Sequence, residues 1–187
     1  MEEVLRDRVF YDESGGGVTF SGGEPLLQHE ALLRMLTAAK KEGLHTAVDT
    51  SGHARGAVLG RVADVADMFL YDLKHLDDRV HEKYTGVGNA LILENADRLL
   101  ALGKRVVFRI PLVPGVNTGK AHLEALTAYL KERRERVEEV HLLPYHHTAE
   151  HKYRRLEQPY PMQELSGLSG AAETDIKSII ETAGVPV

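Results

Sequence analysis

Short apolar runs alternate with segments of helical period along most of the chain. Five runs, at 17–21, 46–50, 68–73, 105–113 and 139–145, are rich in Val, Ile, Leu, Phe and Tyr and predict strands of a buried parallel sheet. Between them, Leu32, Leu33, Leu36 and Ala39 share one helical face before Gly43, and Val58, Leu59, Val62 and Val65 form a second stripe. Ile92, Ala96, Leu99 and Leu100 lead to Gly103; Leu123, Leu126 and Leu130 follow; Ile176, Ile179, Ile180 and Ala183 end at Gly184. Glycine directly after such a stripe fits a left-handed C-cap. Five β-then-α units in series predict a parallel sheet with right-handed crossovers, either doubly wound or part of an α/β barrel. Val185-Pro186-Val187 is placed to start one more short strand. The stretches 14–17 and 148–168 break the pattern, and the second, polar with Pro159 and Pro161, is expected to form a lid or partner-binding flap.

A chain of 187 residues with 43% hydrophobic and 27% charged residues supports one domain with a real core, taken as 1–187. The net charge of -5 gives no electrostatic case for nucleic acid, and the basic stretch at 131–136 is broken by Glu132 and Glu135. Neither a membrane-length apolar run nor a signal-peptide pattern is found, so a soluble cytoplasmic protein is expected. There is no cysteine, which excludes disulfides and any Cys-ligated zinc or iron–sulfur site within these residues.

Ligands of parallel α/β folds bind beyond the C-terminal ends of the strands. Those ends carry Ser21-Gly22-Gly23-Glu24-Pro25, Asp49-Thr50-Ser51-Gly52, Asp72-Leu73-Lys74, Arg109 and Pro144-Tyr145-His146-His147. Gly22 and Gly23 leave backbone groups bare for a ligand, though an ordinary tight turn would use the same residues, and no dinucleotide fingerprint is present. Asp49 and Asp72 with the Thr50 hydroxyl make an oxygen-ligated cation site conceivable, against a helix-capping role for 49–51. Asp72, set in a strand, needs a partner; Lys74 lies two residues on, as an internal salt bridge or a ligand for a carboxylate. Arg109, between Phe108 and Ile110, should meet a carboxylate of the protein or of a ligand. His146, His147 and His151 invite a zinc reading, but further ligands are not evident. A Schiff-base role for Lys74 in an aldolase-like barrel is a weaker alternative.

Together, the segments Val18-Thr19-Phe20-Ser21-Gly22-Gly23-Glu24-Pro25-Leu26-Leu27, Val48-Asp49-Thr50-Ser51-Gly52, Tyr71-Asp72-Leu73-Lys74, Arg109-Ile110-Pro111-Leu112-Val113-Pro114-Gly115 and Leu142-Leu143-Pro144-Tyr145-His146 resemble the radical-SAM activating enzymes of glycyl radical enzymes. The resemblance implies an α/β fold, a partial (β/α)6 TIM-like barrel, here lacking its first βα unit. It implies S-adenosylmethionine (SAM) bound over a [4Fe–4S] cluster that donates one electron, giving methionine and a 5′-deoxyadenosyl radical that takes hydrogen from a backbone glycine of a partner such as pyruvate formate-lyase. Carried over, Gly22, Gly23 and Glu24 would hold the methionyl amino group, largely through backbone. Lys74 and His146 would contact the methionyl carboxylate or ribose with Asp72 and Leu73 beside them, and Arg109 would line the same cavity. Asp49, Thr50, Asp72 and the Leu70 carbonyl would surround a monovalent cation. The family's Cys-x-x-x-Cys-x-x-Cys loop falls upstream of the region matching Val18, so a shortened chain, catalytically dead by itself, is expected. A cluster-less module binding SAM or a partner is the alternative. The implied partners are a glycyl radical enzyme and an electron donor such as flavodoxin or ferredoxin, and an uncovered sheet edge is expected to favour dimers.

Overall fold

The computed structural model describes residues 1–145 and 167–187. Two short helices, α1 (Glu2–Arg6) and α2 (Arg8–Ser14), precede β1 (Gly17–Phe20), and a 3-10 turn (Pro25–Gln28) leads into α3 (His29–Lys41). Then follow β2 (His45–Thr50), α4 (Gly56–Ala63), β3 (Met68–Asp72), α5 (Asp78–Thr85), α6 (Ala90–Ala101), β4 (Arg105–Leu112), α7 (Lys120–Lys131), β5 (Glu139–Pro144) and α8 (Gly170–Glu181). The flap expected over 148–168 falls almost wholly outside the described residues, as do His146, His147 and His151.

Among the described residues all four strand pairings are parallel and the strand order is sequential, β1-β2-β3-β4-β5. A doubly wound sheet reverses its order at a switch point; a sequential order is that of a barrel wall. The sheet is open. β1 forms one edge among the described residues, and along β5 the Val140 N–H reaches the Pro186 carbonyl at 2.8 Å, one bond rather than the further strand expected there.

Alternation along each strand divides the residues between two faces. Val48, Phe69, Tyr71, Phe108, Ile110 and Val140 point to the helical side, where they form the core with Leu36, Leu59, Leu99, Leu126, Leu130 and Ile180. Asp49, Asp72 and Arg109 point to the other face, which the described helices leave open, and are only partly buried. The predicted strands 17–21, 68–73, 105–113 and 139–145 each run one residue past the observed end, because pairing stops where the chain turns out across the mouth. Helix α5 has only one aliphatic residue, Val80, and so gives no apolar stripe; its ends are nevertheless marked by Asp77, which accepts from the Val80 N–H, and by left-handed Gly86. Among the described residues no helix is long and apolar enough to cross a membrane.

Candidate functional site

A connected set of polar side chains crosses the C-terminal mouth of the sheet from β1 to β4. Ser21 Oγ donates to Asp49 Oδ2 at 3.2 Å, and Asp49 Oδ1 lies 2.8 Å from Arg109 Nη2. Arg109 Nε and Nη2 donate to Asp72 Oδ1 at 3.2 and 3.1 Å, and Lys74 Nζ stands 3.6 Å from Asp72 Oδ2. Two carboxylates face one guanidinium and one ammonium, so the cluster is formally neutral. The Asp49, Asp72 and Arg109 side chains are 18%, 19% and 24% exposed, while that of Lys74 is 41% exposed. Arg109 thus meets protein carboxylates, and Lys74 keeps an ammonium reachable from solvent. The Asp72 carboxylate 3.6 Å from Lys74 Nζ is a counter-ion that weighs against a Schiff-base role for this lysine.

The turn after β1 is fixed from behind. Glu24 caps the 3-10 turn, its Oε1 accepting from the Leu26 N–H at 3.1 Å and from Thr50 Oγ1 at 2.6 Å. Its Oε2 accepts from the Ser51 N–H at 2.9 Å and from Ser51 Oγ at 2.5 Å. With the carboxylate so occupied, the backbone of 22–24 is what the turn offers a ligand. Gly22 has φ of 123°, and a Cβ built on Gly22 or Gly23 would meet nothing within 4 Å, so bare peptide faces open space there.

Thr50 behaves differently from its neighbours. Alternation turns its side chain to the helical face, where it is 2% exposed, donates to Glu24 and accepts from the Gly52 N–H at 2.9 Å. The structure therefore brings together Asp49, Asp72, Lys74 and Arg109, with Arg109 between the two carboxylates, and does not bring the Thr50 hydroxyl to them. Leu70 lies in register between Asp49 and Val107, and Leu73 turns its side chain into the core. Among the described residues no three His, Asp or Glu side chains converge as a metal site. A cavity of about 210 Å³ opens beside the network, lined by Glu24, Ser51, His53, Asp72, Lys74 and Leu27 among others. Beyond Lys74 a second, mostly apolar cavity of about 200 Å³ is walled by Val80, Tyr84, Pro111, Val113 and Val116.

Sequence reasoning missed three buried asparagines that hold the rim loops. Asn95 donates to the Gly52 and Ala54 carbonyls at 2.8 and 2.7 Å, and Asn89 to those of His75 and Leu76 at 3.0 and 2.7 Å. Asn117 donates to those of Lys74 and Pro111. Asn95, a polar residue on the stripe of Ile92, Ala96 and Leu99, was the one with a signal in the pattern.

A sequential parallel wall with charged residues gathered at its C-terminal mouth is the arrangement of an open, partial α/β-barrel wall. Residues 1–142 match the Radical SAM superfamily. The chain is 40% identical over 186 residues to the trans-4-hydroxy-L-proline dehydratase activating enzyme of Clostridioides difficile, covering 98% of this chain and 61% of that protein. It is 34% identical over 186 residues to the pyruvate formate-lyase 1-activating enzyme of Escherichia coli K12, covering 98% of this chain and 75% of that one. A crystal structure of a domain of pyruvate-formate lyase-activating enzyme from Bacteroides vulgatus superposes with a TM-score of 0.77 at 32% identity, over 91% of this chain and 96% of that one. The chain belongs to the radical SAM superfamily, and within it to the activating enzymes of glycyl radical enzymes. It spans about three-fifths of the length of the first curated relatives it matches.

Proposed function

We propose that these residues form the SAM-binding mouth of an enzyme that, as a whole protein, places a radical on a backbone glycine of a partner glycyl radical enzyme. The observation that carries this reading is the continuous polar network at one mouth of the sheet, set beside a turn of bare peptide. The donor set suits the zwitterionic methionyl end of SAM: carbonyls of 22–24 and the Asp72 carboxylate for its ammonium, Lys74 for its carboxylate. His146 takes its part in the same site by family resemblance. Arg109 fixes Asp49 and Asp72 in place. A monovalent cation held by Asp49, Asp72 and the Leu70 carbonyl would compete with Arg109 for these carboxylates.

When bound and given one electron by an external donor, SAM would supply a 5′-deoxyadenosyl radical, with methionine as the other product of the broken C–S bond. The iron–sulfur cluster finds no thiolate among these 187 residues. The relatives named as pyruvate formate-lyase and hydroxyproline dehydratase activating enzymes support a glycyl radical enzyme as partner; flavodoxin or ferredoxin as electron donor rests on the family resemblance alone. A second reading, binding of SAM or a partner without turnover, rests on the absence of cysteine from this stretch. Pairing of two β1 edges would give the dimer expected from the sequence, read by size exclusion.

The complete reading frame, purified without oxygen and reduced with dithionite, tests the proposal through release of 5′-deoxyadenosine from SAM. The wild type is expected to release it, with at least about a tenfold fall in kcat/KM in Lys74→Ala. Release unaffected by Lys74→Ala or by Asp72→Ala would overturn the site assignment.

A further inference from the structure

Lys74 sits just beyond the end of β3, and a side chain from a different loop holds it there. The last pair in the β3–β4 register is Asp72 opposite Arg109, and the Leu73 N–H donates to the Arg109 carbonyl at 2.9 Å. Two residues further along each strand, Pro111 has no N–H with which to carry the ladder on toward Lys74. Beyond that point Asn117, in the turn between β4 and α7, bridges the two segments. Its Nδ2 donates to the Pro111 carbonyl at 2.6 Å and to the Lys74 carbonyl at 2.9 Å, while its Oδ1 accepts from the Val113 N–H at 2.7 Å. The orientation of the amide is dictated by its partners, since two carbonyls can only accept and an N–H can only donate. Asn117 is 2% exposed, so water does not compete for these bonds.

We propose that Asn117 is a positioning residue for Lys74, setting where its ammonium stands beside Asp72 at the mouth; the inference rests on the reading of Lys74 as a ligand of the methionyl carboxylate. A lysine side chain is long and flexible, so its reach is set by where its backbone is anchored. The neighbouring Asn89 clamps the next two carbonyls, His75 and Leu76, which leaves Asn117 as the clamp on Lys74 itself. A shift of about 1 Å at such an anchor is enough to spoil a charge-assisted contact.

Calorimetric titration of SAM into the 187-residue chain tests this with Lys74→Ala, Asn117→Ala, Asn117→Asp and the Lys74→Ala/Asn117→Ala double variant. Asn117→Asp keeps an acceptor for the Val113 N–H and loses both donors, so it isolates the clamp. Each single substitution is expected to weaken SAM about tenfold, and the double variant to bind no more weakly than Lys74→Ala alone. Additive losses, or Asn117 variants that bind as the wild type does, overturn the proposal. A second arm does not depend on SAM: the acylation rate of Lys74 by an amine-reactive reagent, read by peptide mass spectrometry with Lys83 as internal reference. A severalfold change at Lys74 with Lys83 unchanged is expected in Asn117→Asp; equal rates overturn the proposal. A wild-type chain that takes up no SAM defeats the cofactor reading alone and leaves Asn117 to be judged by the labelling.

Discussion

Arg109 on β4 reaches over β3 to Asp49 on β2, with Nη2 2.8 Å from Oδ1, and holds Asp72 on the intervening strand at 3.1 Å on the way. One planar guanidinium thereby keeps two carboxylates together at the mouth of the sheet. Removing it leaves two partly buried like charges facing each other. Arg109→Met is therefore expected to cost about 2 kcal/mol of stability at neutral pH, read by urea denaturation. Adding Asp49→Asn and Asp72→Asn should return most of that loss; a triple variant no more stable than Arg109→Met would show that the cost lies elsewhere.

The end of β2 is shaped by a close approach. Gly52 has φ of 73°, and a Cβ there would run into the Tyr71 hydroxyl, which itself donates to the Ile92 carbonyl at 2.6 Å. Gly52→Ala combines a left-handed backbone with a steric clash against a fully buried ring. The expected cost is more than about 3 kcal/mol, read as a lowered thermal midpoint. Tyr71→Phe in the same chain should relieve part of it, although it forfeits the bond to Ile92. A Gly52→Ala chain as stable as the wild type would contradict this packing.

The loop after β3 and the start of α7 meet through two stacked imidazoles, His75 and His122, with ring centroids 4.1 Å apart. Burial, and secondarily the His75 ring, push His122 down to about 4 from its ordinary 6.5. Because the folded state holds this proton less well than the unfolded chain, the His122 contribution is complete above about pH 6.5 and is lost as pH falls toward about 4. Allowing for partial exposure to water, the loss is about 1 to 2 kcal/mol. Urea melts of wild type and His122→Gln near neutrality and at about pH 4.5 check it: the wild type should lose that much more on acidification. Equal losses would remove His122 from the account.

Much of the fold could be read from apolar periodicity, since all five strands and five of the helices carry it. The misses have separate physical causes. Helix α5 has almost no apolar face, and only its caps, Asp77 and Gly86, announce it. Asp49, Asp72, Lys74 and Arg109 were legible as candidates for one cluster at the mouth because a charge at the end of an apolar strand needs a reason. Their pairing was not, because the reach of Arg109 to Asp49 depends on strand order, which periodicity does not encode. Thr50 had the right chemistry and the wrong parity, one residue from Asp49 and so on the opposite face. Asn117 had no local signal, as the carbonyls it holds, those of Lys74 and Pro111, lie on other segments.

Amide NMR of the 187-residue chain titrated with SAM tests the proposed SAM site at this mouth most directly. Millimolar SAM is expected to shift Gly22, Gly23, Ser51 and Lys74 together, along one saturation curve, and to leave the β1–β5 residues at the opposite end of the sheet still. Shifts gathered anywhere else on the molecule, or no shift at those concentrations, would contradict it.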